Sequence, residues 1–135
     1  MSVTSSLQMY QAVATQTAVD MANPHRLVQM LLEGALQSIA RAKGHLTHGE
    51  VAAKGEQISR SLGILEGLRV SLDRQAGGAL ADNLDALYDY TERCLLKANI
   101  QNRQELLDEA AGLLKQIKSA WDAIAPTQAE GKNNE

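Results

Sequence analysis

Apolar residues recur along this chain at three- and four-residue steps in four long stretches, the spacing that gathers them on one side of an α-helix. The first stretch opens at Asn23-Pro24, with Asn suited to an N-cap and Pro to the first helical position. Its stripe is Val28, Leu31, Leu32, Ala35, Leu36, Ile39, Ala42 and Leu46. A loop is expected over His45 to Gly49. The second stretch runs from about Glu50 to Leu72, with Val51, Ile58, Leu62, Leu65, Leu68 and Leu72 inward. Gly77-Gly78 in "DRQAGGA" supplies a turn. The third spans Leu80 to Ala98, with Leu80, Leu84, Leu87, Thr91, Leu95 and Ala98 inward, and "NIQN" turns the chain again. The fourth opens at Asn102, with Glu105 three residues on as a capping-box partner. It buries Leu106, Ala110, Leu113, Leu114, Ile117 and Ile124, and Pro126 stops it.

Four helices joined by short turns predict an all-α fold, an antiparallel four-helix bundle over residues 21–125. Two segments flank it. Residues 1–19 carry no charge, and Leu7, Tyr10, Val13, Thr17 and Met21 form a helix-like stripe on a Ser/Thr/Gln-rich background. A helix so short and so poor in strong formers is marginal alone. Residues 1–20 are therefore expected to be a short N-terminal arm that packs on the bundle and caps an apolar groove. The tail over 126–135, "PTQAEGKNNE", has nothing to bury and is expected to be disordered.

Composition narrows the class. Apolar residues make up 44% of the chain and aromatics only 3%, with no Phe, which favours helices over strands. A net charge of −3 leaves no basic footprint for nucleic acid. No apolar run is long enough for membrane insertion, and the N-terminus lacks the layout of a signal peptide. A single Cys94 excludes an internal disulfide and fits a reducing compartment. A cytoplasmic protein is expected.

Candidate chemistry is sparse. His45 and His48 are spaced as the start of a metal site, but no Cys or carboxylate completes it, so neither metal nor cofactor is expected. Cys94 falls near the inward side of the third helix and reads as an inert thiol. Asp82, Asp85, Asp89 and Glu92 share one face and read as solvated rather than catalytic. No phosphate-cradling loop or nucleophile–base motif occurs. The chain is not expected to be an enzyme.

The second helix offers something else. At 100° per residue Gly63 and Gly67 fall opposite the centre of its apolar stripe, although each mid-helix Gly costs about 1 kcal/mol relative to Ala. Ile64 and Val70 flank them on that side, and Leu96 and Ile100 fall on the acidic outer face of the third helix. Small residues bordered by aliphatics predict a shallow groove for a partner helix.

Several segments in order resemble the flagellin-specific export chaperones, the FliS family. They are Tyr10-Gln11, "NPHRLVQMLLEGAL" at 23–36, "GILEGLRVSLD" at 63–73, Gly77-Gly78 with "NLDALYDY" at 83–90, Ala98-Asn99 and Trp121. Asn23 stands where Ser is common before the proline, and Leu32-Glu33 where Tyr-Asp is usual. The resemblance implies a cytoplasmic chaperone for the flagellum. It would bind the disordered C-terminal segment of flagellin, prevent premature polymerisation and deliver the client to a component of the export gate. It also implies that the client wraps the bundle, gaining helix, and that the arm with Leu7, Tyr10, Gln11 and Val13 covers part of the apolar surface. The client-binding groove would be Gly63, Ile64, Gly67, Val70, Leu96 and Ile100, on a monomer or weak dimer.

Two alternatives come from other classes. A self-associating structural bundle would use the same outer aliphatics. A histidine phosphotransfer domain needs an exposed His well inside a helix, followed by Lys and Gly. Here Lys43-Gly44 precede His45 and His48, which sit at a helix end.

Overall fold

The computed structural model describes residues 23–72 and 74–124. Among these, four helices follow in order: α1 (Pro24–Thr47), α2 (Val51–Val70), α3 (Arg74–Gln101) and α4 (Gln104–Ala123). They pack antiparallel, each against its two neighbours around a ring, and α1 and α2 share the most extensive interface. None of the described helices is long and apolar enough to cross a membrane. The arm residues Leu7, Tyr10, Gln11 and Val13, and the tail, lie outside the described residues.

Helix α1 starts as its sequence requires. The Asn23 side chain accepts from the Arg26 amide at 3.2 Å and Pro24 occupies the first turn. The helix runs further than expected, through His45 to Thr47. The chain reverses over three residues, with Gly49 at φ 72°. The α1–α2 seam is close because its residues are small: Ala35, Ser38, Ala42 and Ser61 are buried, and the Ser61 hydroxyl donates to Ala35 O at 3.3 Å. Leu31, Leu32, Ile39, Ile58, Leu65, Leu95, Leu107 and Leu114 fill the centre of the bundle.

Helix α3 is broken near its start. Gly78 adopts φ 51° and ψ −126°, which an L-residue rarely tolerates, and a Cβ on Gly77 would lie 2.7 Å from that of Ala81. The expected Gly-Gly turn is thus a kink that sets the angle at which α3 enters. At the other end the expected capping box does not form. Asn102 takes the left-handed conformation (φ 53°) that ends α3, Arg103 is the N-cap of α4 without a side-chain bond, and Glu105 pairs with Arg103 at 3.2 Å.

Three polar arrangements tie the helices together. First, His25 Nε2–H donates to Trp121 O at 2.8 Å, while Trp121 Nε1–H donates to His25 O at 2.9 Å. The two rings stack 5.0 Å apart, so the first turn of α1 is fixed to the last turn of α4. Second, Lys54 of α2 is 1% exposed, and its ammonium donates to Asn99 O at 2.8 Å and to Asn102 Oδ1 at 2.5 Å. A buried cation at the negative end of α3 satisfies one carbonyl that the helix leaves open, together with the Asn102 side chain. Burial also pulls its pKa below the ordinary lysine range.

Third, Arg69 of α2 reaches Asp85 at 2.9 Å, Glu92 at 3.3 Å and Asp89 at 3.5 Å on α3. The expected solvated acidic face is therefore partly turned into the α2–α3 seam. A seam between two helices buries residues that a single-helix stripe assigns to solvent. Glu92 is half-buried, with Oε2 unpartnered among the described residues. Desolvation pushes its carboxyl up to about 6 despite the guanidinium, which is divided among three carboxylates.

A carboxyl whose pKa rises on folding supports the fold fully below its unfolded value, near 4.5, and loses that support as pH climbs through about 6. Glu92→Gln, a neutral mimic of the protonated acid, should therefore match the parent chain near pH 4. At pH 8 it should exceed the parent by about 2 kcal/mol, at 1.36 kcal/mol per pKa unit. Thermal melts of both chains at the two pH values check this, and a lower melting point for Glu92→Gln at pH 8 would refute it.

Candidate functional site

Several titratable groups are engaged in holding the fold. His45 Nδ1 pairs with Glu50 Oε1 at 2.8 Å, and His48 Nδ1 lies 2.8 Å from Gly44 O. Among the described residues no three His, Cys, Asp or Glu side chains gather as a metal site. Cys94 is buried, and desolvation raises its thiol pKa, which suppresses the reactive thiolate. Tyr90 OH donates to Glu109, and burial pushes the Tyr88 phenol up to about 12.

The groove expected along α2 is not arranged as the helical angle suggested. Ile64 is buried, packing against α1 where a Cβ on Gly34 would stand 3.5 Å from Ile64 Cδ1. It lies at the edge of the apolar stripe, and α1 covers that edge. Gly63 is buried too and Gly67 is half-buried. A glycine has only backbone to expose, at a radius of about 2.3 Å, well inside the envelope of its neighbours' side chains. Val70 does face outward, at 70% exposure, as do Leu96 and Ile100. These three do not form one patch. Arg69 marks the end of α2 that lies beside Asp85 and Asp89, whereas Lys54 marks the end beside Asn99. Val70 therefore belongs to one end of the bundle, and Leu96 and Ile100 to the other half of α3.

An open apolar trough lies elsewhere. Between the first half of α3 and the second half of α4 is a cavity of about 240 Å³, walled by Leu80, Leu84, Leu87, Leu113, Ile117, Trp121 and Ile124. A second, of about 310 Å³, opens where α1, α2 and α3 converge, walled by Val28, Leu68, Leu72, Ala81 and Tyr88. Both are also lined by Leu80, Leu84 and Trp121, so they adjoin. Among the described residues no charged side chain lines either, and the polar groups in the lining are Asn83, Gln116, Ser71 and the Tyr88 phenol.

Leu80, Leu87 and Ile124 had been expected in the core, and all three are exposed. The kink at Gly78 explains them: α3 enters at an angle that leaves its first turns open against α4. The residues that α3 does bury, Ala81, Tyr88, Thr91, Cys94, Leu95 and Ala98, follow a three–four spacing. Leu80 and Leu87 stand one residue off that frame and seven apart, a mark visible in the sequence. Val51, also expected inward, is exposed because it sits in the first turn of α2, where α3 has already ended.

Among the described residues the trough has largely aliphatic and aromatic walls. It can accept aliphatic side chains from an amphipathic segment, in the manner of a helix laid in a groove.

Comparison with known proteins identifies the chain's relatives. The family model described as "Flagellar protein FliS" matches residues 6–128. The flagellar secretion chaperone FliSB of Pseudomonas aeruginosa is 43% identical over 120 residues, covering 89% of this chain and 95% of that protein. The flagellar secretion chaperone FliS of Salmonella typhimurium is 42% identical over 123 residues, covering 90% and 91%. That of Bacillus subtilis is 30% identical over 118 residues, covering 87% of each chain. A four-helix chain matched over nearly its whole length by this family, as the segments from Tyr10 to Trp121 had suggested, belongs to the FliS family of flagellar proteins.

Proposed function

We infer that this chain is a flagellar secretion chaperone that holds the disordered C-terminal segment of flagellin in the cytoplasm and hands it to the export apparatus. The observation that carries the reading is the apolar trough around Trp121 in a member of this family. Flagellin would fold its C-terminal segment into one or more amphipathic helices and seat their apolar faces against Leu80, Leu84, Leu87 and Trp121. Residues needed for filament assembly would then be occupied, which prevents premature polymerisation. Val70, beside the trough residues Ser71 and Leu72, extends the seat. Gly67 and the buried Gly63 and Ile64 act through the bundle rather than by touching the client. The chaperone would work as a monomer or weak dimer, and an export gate component would receive the complex.

Trp121 is the one tryptophan of the chain and lines both cavities, so its fluorescence reports occupancy directly. Titrating flagellin's C-terminal segment should shift the Trp121 emission while the mixture gains helix beyond the sum of its parts. Leu80 and Leu87 are exposed, so Leu80→Glu with Leu87→Glu should leave the melt nearly unchanged. Each buried aliphatic is worth about 1.5–3 kcal/mol, so the double variant should weaken binding by about a hundredfold or more. Unaltered affinity in a folded double variant would exclude the trough as the client's seat.

The described chain begins at Asn23, next to His25 and near Val28 of the trough. The uncharged segment before it is proposed to compete with the client for the same apolar walls. Ordering such a segment costs about 1–2 kcal/mol per residue, so occupancy would be loose. Deleting residues 2–18 should then tighten client binding about tenfold, the gain from removing a competitor that is bound about nine-tenths of the time. Weaker client binding by a truncated chain that still folds would show that the segment contacts the client instead.

A further inference from the structure

We propose that the bridge from Tyr90 to Glu109 is the end-stop of the trough, limiting the client helix seated there to about three turns and fixing its register. This role rests on the chaperone reading and adds to it the residues that decide how much of a client fits. The trough is walled by two helix faces. Leu80, Leu84 and Leu87 form the row on α3, and Leu113, Ile117 and Ile124 the row on α4, each at steps of three, four or seven residues. Two such rows leave a seam into which a third helix lays its own apolar row. From Leu113 to Ile124 is eleven residues, about 16 Å at 1.5 Å per residue, which three turns of client helix cover.

Just past these walls the seam is crossed. Tyr90 stands three residues after Leu87 and Glu109 four residues before Leu113, and the Tyr90 hydroxyl donates to the Glu109 carboxylate from one helix to the other. At about 100° per residue, Tyr90 falls about 20° from Asn83 on α3, and Glu109 about 20° from Gln116 and Ala120 on α4. Asn83, Gln116 and Ala120 line the trough. The bridge therefore lies across the path of a helix resting between the two rows. Tyr90 is 43% exposed, and the Arg93 guanidinium lies 5.9 Å from its ring centre. Cys94 and Ala110, next to the bridge on the inward side, are already buried, so the pair is not needed to cover the core. At the opposite end the walls run out at Leu80 and Ile124, both exposed. A client helix that reaches the bridge has to end there, which suits a segment with Gly or Asn after its third turn.

The test uses the full chain and two stapled amphipathic helices of about 11 and 15 residues, three and four turns, with Leu at three- and four-residue steps and Gln elsewhere. Trp121 emission reads their binding. In the parent chain the longer helix should bind no better than the shorter, and neither should shift the Leu106 amide beyond the bridge. In Tyr90→Ala the longer helix should gain about tenfold over the shorter, the return on one more seated leucine, and should shift Leu106. Glu109→Ala, which removes the other end of the bridge at an exposed site, should do the same. An unchanged length preference in both folded variants, or a Leu106 shift by the longer helix in the parent chain, would overturn the end-stop. Failure of the chaperone reading is separately visible: flagellin's C-terminal segment would then not displace the short helix from the parent chain.

Discussion

The reciprocal pair of His25 and Trp121 is the constraint on which the useful end of the bundle depends. Each residue gives a ring N–H to the other's backbone carbonyl, and the rings stack, so α1 and α4 meet in one fixed register at this end. Carbonyl oxygens only accept, which sets His25 as the tautomer with its proton on Nε2. With α1 and α4 fixed, the entry of α3 decides whether the ring of helices closes. The kink at Gly77-Gly78 sets that entry so that Leu80 and Leu87 stay in water. The indole that fastens the bundle also lines both cavities. A client side chain seated there touches the residue that holds the first turn of α1, immediately after the uncharged N-terminal segment.

Around the ring the α2–α3 seam is governed differently. It has polar ties at both ends: Arg69 across to Asp85, Asp89 and Glu92, and Lys54 to the end of α3. Charged groups that are buried, as Lys54 is, or partly buried, as Arg69 is, add less stability than their number suggests, because removing them from water offsets most of the attraction. Their effect lies in register. If α3 slid by one turn, Arg69 would lose its carboxylates and Lys54 would lose a helix end, leaving a buried cation without partners. The two ties therefore keep the exposed residues of α3 at fixed heights: the trough at one end, and Leu96 with Ile100 towards the other.

The number of helices and most of their inward faces were legible from periodicity, because burial against neighbours demands a repeating stripe. Asn23-Pro24 marked the start of α1 for the same local reason that it caps it. The misreadings arose where two helices share a burial decision. Lys54 gave no signal in the sequence, since nothing local says that the end of α3 will need a donor. Ile64 looked outward because the centre of a stripe does not reveal how wide it is. Leu80 and Leu87 looked inward because periodicity cannot distinguish an apolar face that is covered from one left open. That distinction is also the functional one. The trough was therefore legible only as a slight excess of leucine beside the three–four frame of α3, and its place became evident once the kink at Gly78 was known.

An open apolar trough is a hazard unless its hold on any ligand is modest. Three aliphatic side chains seated on Leu80, Leu84, Leu87 and Trp121 would return roughly 5–9 kcal/mol, at about 1.5–3 kcal/mol each. Folding a client helix onto the trough gives back part of this, at about 1–2 kcal/mol per residue ordered, less what the new helical bonds recover. The two contributions largely offset, so the hold on a client seated there would be modest and open to a competing surface. The apolar character of the described lining favours the same balance, since breaking a desolvated ion pair would make release slow. Release then needs only another apolar surface that offers the client more, rather than chemical energy spent at the chaperone.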